Sequence, residues 1–222
     1  MELVTVTLGT PIKEISLMPR RARYIEPNGY YHVISRSTNL AWILKDTDDF
    51  RYFLKLLLEA KSRYPLRIFH YALMNTHFHL IAQALNVQDF RTNIAHIKWQ
   101  YTKWFKAKYS WKGPLWRERF KSLPIENEDY LTSCGIYVEY NPVRAGICAD
   151  PADYPYSSYR AYLFKANDAL IDAYASGHED EKQKDRIYRS EFAKTIFSQA
   201  PAIGSTAFLN KFKKSEKCLS QK

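Results

Sequence analysis

The chain has 222 residues, 46% of them hydrophobic, with a formal charge of +10 and a pI of 9.4, which suits one domain with an extension and a real core. The excess of lysine and arginine favours an anionic partner such as nucleic acid. No apolar run is long enough to span a bilayer, no glycine-rich phosphate loop occurs, and the N-terminus lacks a signal-peptide pattern, so neither a membrane protein nor a nucleotide-cofactor enzyme is expected.

Residues 1–28 combine a short β-like run, LVTVTL, with a basic cluster of Arg20, Arg21 and Arg23, and read as a basic arm. YYHVISR (30–36) reads as a strand, aromatic and β-branched, after the turn residues Pro27, Asn28 and Gly29. DTDDFRYFLKLLLEAKSRY reads as a helix capped by Asp46 or Thr47 and stopped by Pro65. LRIFHYALM and HFHLIAQAL read as two strands joined by a tight turn at Asn75 and Thr76, and a long helix is predicted from Val87 to Tyr109. GPLWRERFKSLPI is expected to be a hairpin or extended loop. NEDYLTSCGIYVEY reads as a third helix, with Asn127 as its cap, acids at its positive end and Pro142 closing it.

The order strand, helix, strand, strand, helix is not doubly wound. It favours an α+β fold, an antiparallel sheet with helices packed on one face. Residues 164–222 form an irregular C-terminal extension: NDALIDAYASGHEDEKQKDR reads as a loop or flexible helix, and KKSEKCLSQK as a disordered basic tail. Cys134, Cys148 and Cys218 are odd in number and form no C-x-x-C, so reduced thiols in a cytoplasmic protein are expected, with no zinc site or disulfide framework.

In a strand, residues two apart share a face, so His77 and His79 stand side by side while Phe78 turns into the core. Two neutral imidazoles can share a divalent ion. The plainer alternative is two solvent-facing histidines on a sheet. Tyr137 and Asn141 are four positions apart, which places them on one helix face with Tyr130 and Cys134. Asn141 precedes a proline, which biases its backbone out of the helical region and leaves its amide oxygen able to reach a metal. Alternatively, Tyr137 is a core aromatic and Asn141 a C-cap. Taken with the histidines, the pattern suggests a tyrosine hydroxyl attacking a phosphodiester that a metal on two imidazoles and an amide oxygen polarises. Tyr140 offers a second hydroxyl near the same place.

From Arg91 to Lys121 stand nine basic residues and one acid, Glu118, with eight aromatics interleaved. Cations can contact phosphates and aromatic faces can stack on unpaired bases. Lys98, Lys103, Lys106, Lys108, Arg117 and Arg119 are the phosphate candidates, and Arg20, Arg21 and Arg23 could add to them. Trp99, Trp104 or Phe105 are expected to lie partly in the core. A solvated basic helix face is the alternative.

Together, ALMNTHFHL, GPLWRERFKS, YVEYNPVRAG and DYPYSSYRAY resemble the single-tyrosine HUH transposase family of bacteria, and within it the REP-associated tyrosine transposase branch, domesticated relatives of small insertion-sequence transposases. The resemblance covers residues 29–163. It implies a ferredoxin-like core that cleaves and rejoins single-stranded DNA beside a hairpin through a 5′-phosphotyrosine. Tyr137 would be the nucleophile, and Mg²⁺ or Mn²⁺ would be held by His77, His79 and Asn141. It further implies repetitive palindromic hairpins as partners, a cytoplasmic, nucleoid-associated location, and a monomer or homodimer. A hairpin-binding protein without catalysis and a water-using metal-dependent nuclease are the rival readings.

Overall fold

The structure, a computed structural model, describes residues 24–174 and 202–217. Four strands form one antiparallel sheet: β1 (Gly29–Arg36), β2 (Leu66–Met74), β3 (His77–Ala84) and β4 (Lys121–Ile125), in the order β2-β3-β1-β4. Helix α1 (Thr47–Arg63) connects β1 to β2, and α2 (Val87–Tyr109) connects β3 to β4. This β-α-β-β-α-β succession is ferredoxin-like, and the α+β expectation holds. The stretch expected to be a hairpin or loop instead supplies β4, which pairs with β1 from Tyr30↔Ile125 to Ile34↔Lys121. β4 is an edge strand, so Pro124 within it removes no ladder bond from a central position.

Local chemistry explains the helix starts. Asp46 and Asp49 form a reciprocal capping box at the start of α1. The Asn86 side chain accepts from the Gln88 and Asp89 amides to begin α2. Both helices bury their apolar stripes on one sheet face: Phe53, Leu57, Phe90, Ile94 and Tyr101 pack on Val33, Ile68, Phe78 and Leu80.

The expectation that all helices share one face is corrected by α3 (Glu128–Glu139), which lies across β2 and β3 on the opposite face. Its Leu131, Cys134, Tyr137 and Val138 pack on Phe69, Ala72 and Ile81. Strand side chains alternate, and the sheet is apolar on both sides of β2 and β3, so both sides need a cover. Pro142 does not close α3. That helix stops at Glu139, and after Tyr140 a short helix α4 (Asn141–Arg144) begins, with proline tolerated in its first turn.

A β-bulge in β2 seats α3. Ile68 pairs with Ala82 and His70 with Ile81, so Phe69 is the extra residue. Phe69 packs into the α3 cluster, and His70 also reaches α3. An unbroken alternation would send His70 the other way. His70 Nδ1 pairs with Glu139 Oε1 at 2.8 Å, and Ser158 Oγ donates to the same oxygen at 2.6 Å. His70 Nε2 meets the Tyr174 hydroxyl at 2.7 Å, and its ring stacks on Tyr162.

Beyond α4, a helix α5 (Tyr159–Leu163) follows. Residues 168–174 are strapped across the domain by the Asp172–Lys61 ion pair at 2.7 Å and the Asp172 amide on Ile68 O at 2.7 Å. The C-terminal helix Thr206–Lys217 replaces the start of the expected disordered tail. Arg20, Arg21, Arg23, the LVTVTL run and Cys218 lie outside the described residues, as does the part of NDALIDAYASGHEDEKQKDR beyond Tyr174.

Gly135 is required by this packing. A Cβ there would fall inside the His70 imidazole, which is held by hydrogen bonds on both nitrogens and cannot withdraw cheaply. Gly135→Ala should therefore lower unfolding stability by about 1–3 kcal/mol despite its better helix propensity. An unchanged urea midpoint would contradict this seating of α3.

Candidate active site

His77 and His79 stand on the α3 face of β3 with ring centroids 4.9 Å apart and planes at 76°. They do not face open solvent: His79 is 2% exposed, and His77 is half-buried. Cross-strand register puts Arg36 opposite His77, and Ile34 and Ala72 on either side of His79.

His79 Nδ1 lies 2.8 Å from Nε2 of His32, itself a buried histidine on β1. His79 Nε2 is buried with no hydrogen-bond partner. A buried polar atom without a partner is costly and calls for an explanation. Two tautomers are open to this pair. If His79 donates its Nδ1–H to His32, the Nε2 lone pair is free to bind a cation. If His32 donates instead, His79 Nε2–H has no acceptor. The first arrangement leaves no orphaned donor, and it is the one metal ligation requires.

All three imidazoles are held neutral. Burial, with the Arg36 guanidinium second, pushes His77 down to about 4. Burial pushes His32 down to about 3. Burial first, then His32, His77, Arg36 and Arg144, drives His79 well below the ordinary value.

Tyr137 is buried in the apolar cluster that includes Ala72, the cross-strand partner of His79. Arg144 links the two elements: its guanidinium lies 4.2 Å from the Tyr137 ring centroid, and its charge acts on His79. The Asn141 side-chain NH₂ donates to the Tyr137 and Val138 carbonyls, both at 3.0 Å, which turns its Oδ1 away from the helix. Its backbone starts α4 and does not leave helical geometry, contrary to the pre-proline expectation. Tyr140 belongs elsewhere, with Ile136 and edge-to-face against Tyr159.

Among the described residues no three His, Cys, Asp or Glu side chains form a closed metal cage. A site here would be an open one, two imidazoles completed by the Asn141 amide oxygen. The unpartnered His79 Nε2 and the neutral donor set fit such an ion. Sequence reasoning missed Arg36, His32 and Arg144. Only Arg144 carried a signal, inside YVEYNPVRAG.

The basic stretch divides. Lys98 is buried with its ammonium on Glu118 O at 2.8 Å, and Lys108 bridges Asp46 and Asp49 at 2.8 Å each, so both are engaged inside the fold. Lys103 lies over the Trp99 ring at 3.6 Å. Lys106, Arg117 and Arg119 are exposed. Phe105 is in the core and Trp104 packs against it, but Trp99 is on the surface. No described helix is long and apolar enough to cross a membrane.

The chain belongs to the IS200-like transposases: the family described as "Transposase IS200 like" matches residues 26–141, just over half its length. It is 27% identical over 124 residues to a Haemophilus influenzae protein named as a REP-associated tyrosine transposase, covering 51% of this chain and 70% of that one. A REP-associated tyrosine transposase solved bound to a REP hairpin superposes with a TM-score of 0.54 at 18% identity, covering 73% of this chain and 98% of that one. The last comparison speaks for the fold.

Three histidines with lowered pKa values make the metal-free protein acid-sensitive. Unfolded histidine takes up its proton near pH 6.5, whereas His77 resists it until about pH 4 and His32 until about pH 3, and His79 is also held well below the ordinary value. Stability is full above about pH 6.5 and falls as the pH drops toward 4, because the unfolded chain binds more protons. Urea melts in chelator should show a lower midpoint at pH 5 than at pH 7.5; equal midpoints would contradict neutral burial.

Proposed function

We propose that this protein is a metal-dependent strand transferase that nicks and rejoins single-stranded DNA beside a hairpin, with Tyr137 as nucleophile. The observation that carries the reading is the unpartnered, buried Nε2 of His79 beside the Tyr137 helix. Membership of the transposase family supports DNA as substrate. The hairpin bound by the structural relative supports hairpin DNA as partner.

His77, His79 and Asn141 would hold Mg²⁺ or Mn²⁺. The ion would neutralise charge on the scissile phosphate and orient it. The Tyr137 hydroxyl attacks phosphorus, a Tyr–O–P bond forms as the P–O3′ bond breaks, and the proton lost by tyrosine is balanced by the one gained at the leaving 3′-hydroxyl. The 5′-phosphotyrosine keeps the bond energy, so a 3′-hydroxyl attacking in reverse reseals a strand without nucleotide. Arg36 and Arg144 flank the histidines and supply positive charge for the phosphate. Tyr140 faces Tyr159 and another cluster, which favours Tyr137 between the two hydroxyls.

Incubation with labelled single-stranded hairpin DNA and Mn²⁺, followed by a denaturing gel, tests the reading. Wild type and Tyr140→Phe should give a covalent adduct. Tyr137→Phe should bind DNA and give none, and His77→Ala or His79→Ala should lose cleavage while keeping hairpin affinity. Cleavage by Tyr137→Phe at the wild-type rate would identify a water-using nuclease instead. Binding without cleavage by any form would identify a binder.

His32 is expected to act through His79. His32→Phe removes the acceptor that fixes the His79 tautomer, so Mn²⁺ affinity measured by calorimetry should fall about 10- to 100-fold. Unchanged affinity would remove His32 from the site.

A further inference from the structure

Between β1 and α1 the chain makes a 3₁₀ turn, Thr38–Leu40, that is unusual on two counts. Asn39 and Leu40 both have positive φ, 52° and 54°. Asparagine tolerates that region, but leucine rarely enters it, and strain of this kind persists only where the surroundings enforce it. The turn and the residues just after it expose two large apolar side chains, Leu40 at 65% and Trp42 at 62%. Other exposed aromatics are covered: Lys103 sits over Trp99, Arg160 approaches Phe164, and Tyr24 meets Phe212 edge-on. Among the described residues Trp42 has neither a ring nor a cation against it.

The segment is held rigidly. The amides of Ile43 and Leu44 donate to Asn75 O at 2.7 and 3.1 Å, and the Asn75 side chain donates to Leu44 O at 2.8 Å. Ser37 N donates to Thr76 O at 2.8 Å, and Thr38 N to Leu115 O at 2.9 Å. Ile43 and Leu44 are fully buried beneath. Asn75 and Thr76 form the turn that leads into His77, and Arg36, opposite His77, lies just before the strained turn. The backbone that carries this indole is thus tied to the turn leading into His77, at the same end of the sheet as the candidate nucleophilic site, in a chain of charge +10.

We propose that Trp42 is a stacking platform for one unpaired nucleobase of the DNA strand next to the scissile phosphate, with the strained turn holding the indole in place. This rests on the proposed reaction with single-stranded DNA. The occupant follows from chemistry: a flat apolar face on the segment that follows Arg36, at the end of the sheet proposed to bind the phosphodiester, suits a base whose backbone runs on to that site, since stacking needs no hydrogen-bond code and cations take the phosphates. A protein partner or a second copy would need a larger apolar surface than one indole and one leucine.

The probe is a DNA hairpin with a short unpaired flank in which 2-aminopurine replaces each flank base in turn, compared with a blunt hairpin. Wild-type protein should quench one flank position strongly, and Trp42→Ala should lose that quench. Trp42→Ala should bind the flanked hairpin about 5- to 150-fold more weakly, the range for one base on one aromatic, and the blunt hairpin as wild type does. Trp42→Phe should restore most of the difference. Because Trp42 is exposed, the unfolding midpoint of Trp42→Ala should not move. Equal losses on both hairpins, no loss on either, or no quenched position in wild type would each overturn the proposal. A change in sedimentation on removing Trp42, with DNA binding intact, would assign the indole to a second copy and overturn it too. Quenching reads stacking without chemistry, whereas absence of a Tyr137 adduct with stacking intact would fault only the proposed reaction.

Discussion

The contact between His70 and Glu139 is the constraint on which the candidate site depends. Tyr137 and Asn141 come from one helix and its continuation, and His77 and His79 from a strand some sixty residues earlier. Glu139 lies between Tyr137 and Asn141 in sequence, and its buried carboxylate is satisfied by His70 and Ser158 together. A slip of α3 by one residue would strand that carboxylate without partners, and an unpaired buried charge costs several kcal/mol. The bulge at Phe69 turns His70 toward the helix, and Gly135 leaves room for its ring. Three features far apart in sequence thus fix one helix register, and the register fixes where the Tyr137 side chain stands.

Electrostatics on the same face favour an anionic ligand. The imidazoles are neutral because they are buried and because Arg36 and Arg144 lie near them. A protonated histidine here would add charge to charge, so the proton is refused and the ring lone pairs stay available. The guanidiniums are then free of competition from imidazolium for a phosphate. In the proposed reaction, the neutral imidazoles would offer their lone pairs to the metal, and the guanidinium charge would serve the phosphate.

The basic stretch from Arg91 to Lys121 serves two purposes that charge alone does not separate. Lys98 ties α2 to the Glu118 carbonyl, and the Trp116 indole also reaches back to α2, donating to Lys98 O at 3.1 Å. Lys108 ties the end of α2 to the capping aspartates of α1. These cations join elements that pack on one sheet face. Lys106, Lys112, Arg117 and Arg119, exposed to solvent, are among those that can contribute to an outward positive field.

The sequence by itself determined the elements with strong local signals. Asp46, Asn86 and Asn127 cap the three long helices, Asn75 and Thr76 make the turn, and the two-residue period sets His77 and His79 on one face. It also carried the family, because the motifs around those histidines and Tyr137 are contiguous in the chain. What it left open depends on long-range pairing. Residues 121–125 are a short segment containing a proline, and only their ladder with β1 makes them a strand. The cover of the second sheet face by α3, the bulge that redirects His70, the orientation of His79 by His32, and the internal use of Lys98 and Lys108 join residues 20 to 69 apart. No local pattern encodes these contacts. A bulge changes side-chain direction without changing composition, and a buried imidazole and an exposed one have the same letter, so only the tertiary structure decided them.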